Sequence, residues 1–354
     1  MSFDIKRSVS LYSYQEEFYL GKMNLEDCIR EVWKTGATGI ELLPEQMIDE
    51  FPVITPEFKE KWFGWMDRYQ MEPTCYDAFL ENHIYKNRRC TLREQIQMME
   101  RDIKLAHELG FKTLRTLVST PMEVIEGSLA CASDQNIKIC LEVHSPFSLN
   151  SGWADGYMEM ILRTGTENFG FMPDFGIFCK AVPDVLRDQA RRRGVSEDVI
   201  KAVDDAFTQR VEKGFVKIKY DLNLGKANKE YRIANGEPQL MERVKKLGGG
   251  EAALRYAASS FAYTWCDPQD IIDNIRYIYH THAKFYNTDE NYKETSIPIG
   301  EVVKAYKKAG YHGYLSSEYE GNTALNDTFD VDSVEQVRRH QEALRNAIEE
   351  KEGL

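Results

Sequence analysis

The chain has 354 residues, 42% of them hydrophobic and 29% charged, with a formal net charge of −12. That length is long for one average domain but within the range of single α/β barrels, and the apolar fraction suffices for a sizeable core. The negative balance argues against nucleic acid as the main partner, because phosphates attract Lys and Arg, while a locally basic pocket for an acidic substrate stays compatible with it. No stretch approaches ~18 continuous apolar residues, so no membrane span is expected. The opening residues MSFDIKRSVSLYSY lack the apolar block and cleavage site of a signal peptide. Seven cysteines, at 28, 75, 90, 131, 140, 179 and 266, are odd in number, lack paired spacing and include no CxxC. Reduced thiols in a cytoplasmic protein are the expectation.

Short β-branched or aromatic runs alternate with amphipathic stretches along the chain. Ile5 to Tyr12 reads as a first strand, followed by a helix over Leu25 to Lys34 with Asn24 as N-cap. Gly39 to Leu43 makes strand two, with a helix from about Glu57 to Tyr69 behind it, and strand three lies near Met71 to Tyr76. The next helix begins near Thr91 with Glu94 three positions on, a capping-box pattern, and Gly110 stops it. Strand four is Lys112 to Val118, and Pro121 suits the first turn of a helix. Strand five starts at Ile137 and ends in Glu142-Val143-His144, and strand six is Gly170 to Asp174. Strand seven lies within Ile275 to Phe285, strand eight is Tyr314 to Glu318, and a charged helix from about Ser333 closes the chain.

Eight alternations of this kind, without GxGxxG after the first strand, predict a (β/α)₈ TIM barrel of the α/β class rather than a dinucleotide-binding sheet. About a hundred residues separate strands six and seven, where one crossover helix would suffice. Candidate helices fall at Ala181 to Arg193, Ser196 to Val211, Gln239 to Lys246 and Glu251 to Phe261, with a strand-like piece at Phe215 to Tyr220. Removing roughly 70 of these residues leaves a chain near the typical barrel length of about 250. The expectation is one barrel domain over 1–354, carrying a mainly helical insertion at about 180–262 that shapes the pocket or carries an interface.

Side chains at the C-terminal ends of barrel strands converge over the mouth. Glu142, Asp174, His282 and Glu318 occupy such positions beside apolar runs, where an unpaired charge is costly. A divalent cation would compensate three carboxylates that otherwise repel. An oxygen-rich set with one imidazole suits Mn²⁺ or Mg²⁺, and also accommodates Co²⁺ or Zn²⁺. Any one acidic strand end is more often solvated or ion-paired than a ligand; four on successive strands shift that balance. His280 rivals His282, since alternation puts both on one side of strand seven with Lys284. Glu320 likewise rivals Glu318, and spacing leaves both pairs open.

His144 shares the face of Glu142 and is a candidate general base, the role imidazole most often takes, against a merely structural role. Tyr12, Glu41, Asp77 and Arg115 lie near the ends of the earlier strands and are candidate substrate contacts, as are His280 and Lys284 on strand seven, with a structural role the commoner outcome. Trp153 and Phe178 are candidate apolar walls, with ordinary core positions as the alternative.

The stretches Leu141-Glu142-Val143-His144, Pro173-Asp174-Phe175-Gly176-Ile177, His282-Ala283-Lys284-Phe285 and Gly310 to Glu318 resemble motifs of the sugar-phosphate isomerase/epimerase family, the xylose-isomerase-like barrels. The resemblance implies Glu142, Asp174, His282 and Glu318 as metal ligands, and so selects one member of each rival pair. It covers most of the barrel but not the insertion. Two positions depart: Ile177 stands where the family often has a substrate-touching histidine, and Phe285 where it usually has Asp. Seven histidines and an acidic chain speak against the multi-zinc DNA-repair barrels of the same fold.

A narrower resemblance, in Val9 to Glu17, Glu142 to Pro146 and His282 to Tyr286, is to the catalytic subunits of bacterial C-glycoside deglycosidases. It implies a carbon–carbon lyase acting on 3-oxo-C-glycosides and working with a small β-rich partner subunit in a larger oligomer. His144 would act as base beside the Mn²⁺ or related ion. The wider resemblance implies instead a sugar isomerase or epimerase with Glu142 and Glu318 shuttling the proton. A non-catalytic sugar-binding barrel is the third expectation and requires the open metal position to be lost or filled.

Overall fold

Residues 5–219, 221, 223–325 and 331–350 are described by the computed structural model. Eight parallel strands run β1 (Lys6–Ser10), β2 (Gly39–Leu42), β3 (Glu72–Asp77), β4 (Thr113–Thr116), β5 (Lys138–Val143), β6 (Phe169–Pro173), β7 (His282–Phe285) and β8 (Tyr314–Tyr319). They pair in the order β6-β5-β4-β3-β2-β1-β8-β7. Between β6 and β7 the sheet curls toward closure through isolated parallel bridges, Phe171 with Ile278 and Asp174 with His282. This is the α/β barrel expected from the alternation of elements.

Several local predictions hold for the expected physical reason. Asn24 and Asp27 form a reciprocal capping box on the helix Leu25–Lys34, and Thr91 with Glu94 does the same for Leu92–Glu108. The latter helix packs Met99, Ile103, Leu105 and Ala106 inward. Others need correction. The first strand ends at Ser10, and Leu11–Tyr14 turn into a 3-10 helix that lays Tyr12 over the mouth. Strand seven, expected within Ile275 to Phe285, is its last part, His282–Phe285, and Ile275–Tyr277 form a 3-10 turn. That turn lies against β6, where a Cβ on Gly170 would meet the Tyr277 carbonyl at 2.4 Å. Glycine is thus required for the close approach.

The insertion is helical, with helices Asp184–Arg192, Glu197–Lys213, Leu224–Ala234, Glu237–Lys246 and Glu251–Ser259. The helix Leu224–Ala234 was not legible beforehand. Residues 215–219 of the expected strand-like piece form no strand, and Tyr220 lies outside the described residues. Both ends of the insertion meet. Cys266 N donates to the Ile177 carbonyl (2.8 Å), Cys179 N donates to the Thr264 carbonyl (2.9 Å), and Phe178 bridges Trp265 antiparallel. Arg210, buried over the Phe261 ring (4.1 Å), donates to the Ser260 carbonyl (3.2 Å) and fastens the returning segment. All seven cysteines are free, and no helix among the described residues is long and apolar enough to cross a membrane.

Candidate metal centre

Inside the barrel, side chains alternate in layers along each strand. Cys75, Cys140 and Met172 form a small apolar cluster, and two residues further along the same strands stand Asp77, Glu142 and Asp174. The period of two therefore places an apolar layer beneath a charged one. Glu41 from β2, Arg115 from β4, His282 and Lys284 from β7 and Glu318 from β8 complete the charged layer, all buried.

Glu142, Asp174, His282 and Glu318 each offer a ligand atom, and the four atoms lie within 4.8 Å of one another. His282 Nδ1 is 3.3 Å from Glu142 Oε1 and 3.3 Å from Glu318 Oε2. Asp174 is placed just past β6, where its Oδ1 accepts from Gly176 N at 2.6 Å. A Cβ on Gly176 would come within 2.9 Å of that same oxygen, so the turn that aims Asp174 requires glycine. Lys284 Nζ reaches Asp174 Oδ2 at 2.6 Å, Glu318 Oε2 at 3.3 Å and Glu320 Oε1 at 3.2 Å.

The chemistry of the donor set fits a divalent ion. Asp174 Oδ2 and Glu318 Oε2 are buried without a well-directed hydrogen bond, despite the neighbouring ammonium. Among the described residues, the carboxylates of Glu41, Asp77, Glu142, Asp174 and Glu318 face two permanent cations, Arg115 and Lys284. A dication among them reduces that excess.

The charges already pull the ionisation of these groups apart. Burial opposes the charged form of Glu142, but His282, Arg115 and Lys284 outweigh it and hold its carboxyl well below the usual range. Burial pushes Asp174 up to about 7 against the attraction of Lys284, and raises Glu318 as well. Burial is likewise outweighed at His282, which Glu318, Glu41 and Glu142 raise well above the ordinary imidazole value.

Above this layer opens a cavity of about 330 Å³, lined by Glu142, Asp174, Lys284 and Glu318 below and by Tyr12, Phe79, His144, Tyr263, Tyr286 and Glu320 around its sides. His144 lies just past β5, half-buried, with Nδ1 2.9 Å from the Ser145 carbonyl. If Nδ1 carries the proton and donates it there, Nε2 keeps its lone pair. Arg115 lines the cavity and pairs with Asp77 (3.1 Å) and Glu142 (3.6 Å). Ala262 and Tyr263, at the end of the insertion, form part of the wall, and Tyr263 meets Tyr286 edge-on at 5.3 Å. The insertion thus shapes the pocket.

The remaining expected substrate contacts sit elsewhere. Glu41 and His280 are buried and paired with each other at 2.8 Å, and Asp77 lies behind Arg115. Trp153 is core, packed between Phe147 (4.8 Å) and Tyr157 (5.3 Å). Phe178 is also core, against Phe175 at 6.2 Å. Phe79, Leu117 and Tyr263 were missed: the first two follow their strands by one or two residues, and Tyr263 ends an insertion with no strand periodicity to mark it.

No family model matches the chain. Among curated proteins it is similar to a C-glycoside deglycosidase alpha subunit of Arthrobacter globiformis, 27% identical over 351 residues that cover 98% of this chain and 93% of that protein. It is similar also to a 3′-dehydrocarminate deglycosidase alpha subunit of a Microbacterium species, 25% identical over 88% of this chain and 87% of that protein. Among solved structures, a 3-keto-D-glucoside 4-epimerase from E. coli superposes with a TM-score of 0.51 at 13% identity, covering 97% of this chain and 99% of that one. An L-ribulose 3-epimerase does so with a TM-score of 0.52 at 11% identity, covering 98% and 97%. These two share the fold.

Proposed function

We propose that the chain belongs to the xylose-isomerase-like superfamily of TIM barrels and is a metal-dependent carbon–carbon lyase cleaving 3-oxo-C-glycosides. The observation that carries this reading is the convergence of Glu142, Asp174, His282 and Glu318 beside a cavity that Glu142, Asp174 and Glu318 line together with His144. The names of the curated relatives, matched over nearly the whole chain, point the same way.

Glu142, Asp174, His282 and Glu318 would hold the ion, with Mn²⁺ the best match to three carboxylates and one imidazole. When bound, such an ion polarises the sugar ketone and stabilises the negative charge of an enolate. His144 Nε2 removes the proton from C2, next to the C3 ketone, and the C2–H electron pair becomes the C2–C3 enolate. Return of that electron pair forms the C1–C2 double bond and breaks the bond from C1 to the aglycone carbon. The aglycone takes up a proton from an acid or water in the cavity. The products are the free aglycone and an unsaturated anhydro-keto sugar. Tyr12, Phe79, Tyr263 and Tyr286 give the cavity an aromatic side against which an aglycone ring can lie.

A second reading, sugar isomerisation or epimerisation, is favoured by Glu142 and Glu318, which approach His282 Nδ1 with different carboxylates at equal distance. In it one carboxylate removes the α-proton and the other returns it. Against it, Ile177, which replaces the family's histidine, is buried and does not line the cavity. The test is incubation of metal-loaded protein, with and without a small β-rich partner subunit, against a 3-oxo-C-glycoside and a panel of free ketoses. Aglycone release selects the lyase. Epimer or aldose formation without release rejects it.

A further inference from the structure

Glu41 is absent from the cavity wall and from the four-ligand set, yet it is fully buried directly behind one of the four. Its two carboxylate oxygens are divided between two imidazoles. Oε1 faces His282 Nε2 at 2.5 Å, and Oε2 faces His280 Nε2 at 2.8 Å. His282 therefore presents its other nitrogen, Nδ1, to Glu142 and Glu318.

An imidazole can donate a lone pair to a metal through one nitrogen only if that nitrogen carries no proton. Holding the proton on the far nitrogen with a carboxylate fixes the tautomer, locks the ring's rotation and makes the near nitrogen a better donor. Glu41 is placed to do all three, and His280 keeps it from rotating away.

We propose that Glu41 is a positioning residue of the metal centre, which fixes His282 as an Nδ1 donor, with His280 as the brace of Glu41. The inference rests on the proposed metal-dependent reading and extends it to residues outside the coordination sphere. It also accounts for two buried ionisable side chains, Glu41 and His280, that the reaction itself does not use.

The test is calorimetric titration of Mn²⁺ into the metal-free full chain and its Glu41→Gln variant, with melting temperatures taken without metal and at saturating Mn²⁺. Gln keeps the volume of the side chain but not its charge. The expected result is metal affinity weakened by roughly 10–100-fold, the range for loss of such an outer partner, and a smaller rise in melting temperature on adding Mn²⁺. A merely structural role for Glu41 would lower the melting temperature without metal and leave the affinity unchanged; that outcome overturns the inference. Should Glu41→Gln fail to fold, His280→Asn decides instead. It leaves Glu41 in place without its brace, so weaker Mn²⁺ binding supports the inference and wild-type affinity overturns it. Wild-type protein that binds no divalent ion at all overturns the metal-dependent reading, an outcome separable from wild-type affinity in the variants.

Discussion

On the inner face of the barrel, Glu142, Asp174 and Glu318 are withdrawn from solvent and face one another around His282 and Lys284. In the inserted helices, Glu197, Asp205 and Glu251 stand at the surface beside Arg191, Lys201 and Arg255. The residue types are the same, but the energetics are opposite. A solvent-exposed pair contributes ~0–1 kcal/mol and is screened by salt. A buried charge costs several kcal/mol unless its surroundings compensate it. The inserted helices therefore tolerate changes of charge, whereas the barrel keeps an arrangement that stability alone would remove.

The largest effects expected from this contrast lie at the barrel floor. Glu142→Ala or Glu318→Ala should abolish both bound metal, measured by elemental analysis, and turnover of a 3-oxo-C-glycoside. Retention of both would remove these residues from the centre. His144→Ala should keep the metal and slow turnover by about 10²–10⁴-fold, the usual contribution of a general base. Full activity in that variant would exclude His144 from the reaction.

The next effect separates the barrel's outer layer from its inner one. His340 stacks on Phe285 at 3.9 Å and meets Ser317 Oγ at 2.7 Å, in full burial. Burial pulls its imidazole down to about 3 from an ordinary value of 6.5. The unfolded chain then binds more protons than the folded one below pH 6.5. The stability this group contributes is complete above pH 6.5 and is lost as pH falls toward 3, at ~1.4 kcal/mol per unit. Urea melts at pH 7, 6 and 5 should show that slope, and His340→Phe should flatten it. An equal slope in the variant would assign the acid sensitivity to other groups.

Smaller changes are expected in the insertion. Tyr263→Ala should raise KM several-fold at unchanged Mn²⁺ affinity, because it removes wall area and touches no ligand. A loss of metal from that variant would contradict the division between wall and floor. Arg255→Gln should shift stability by less than about 0.5 kcal/mol in urea denaturation, since its partner Glu251 is exposed.

The barrel was legible because strand ends, capping boxes and apolar periodicity agree locally. Thr91 with Glu94 and Asn24 before Leu25 give helix starts that no tertiary contact has to impose. Alternation placed His280, His282 and Lys284 on one side, and the structure buries all three. What alternation lacks is depth: it does not distinguish a residue facing the cavity from one behind it, so Glu41 and His280 looked like substrate contacts. Two aromatic residues stayed ambiguous for a related reason. Trp153 and Phe178 have the chemistry of a wall, but only packing against Phe147 and Phe175 reveals them as core. The start of β7 within 275–285 was not readable because β-prone residues at 275–277 are turned by their approach to Gly170, a contact between distant segments.

The pairing of residues 177–179 with 264–266 brings the chain out of the insertion where it went in. The roughly eighty residues between them form a cassette on a closed clasp. The clasp closes it off from Asp174 and His282, while its last residues, Ala262 and Tyr263, return to the mouth. Part of the cavity wall is thereby supplied by a separately fastened segment that contributes none of the four candidate ligands.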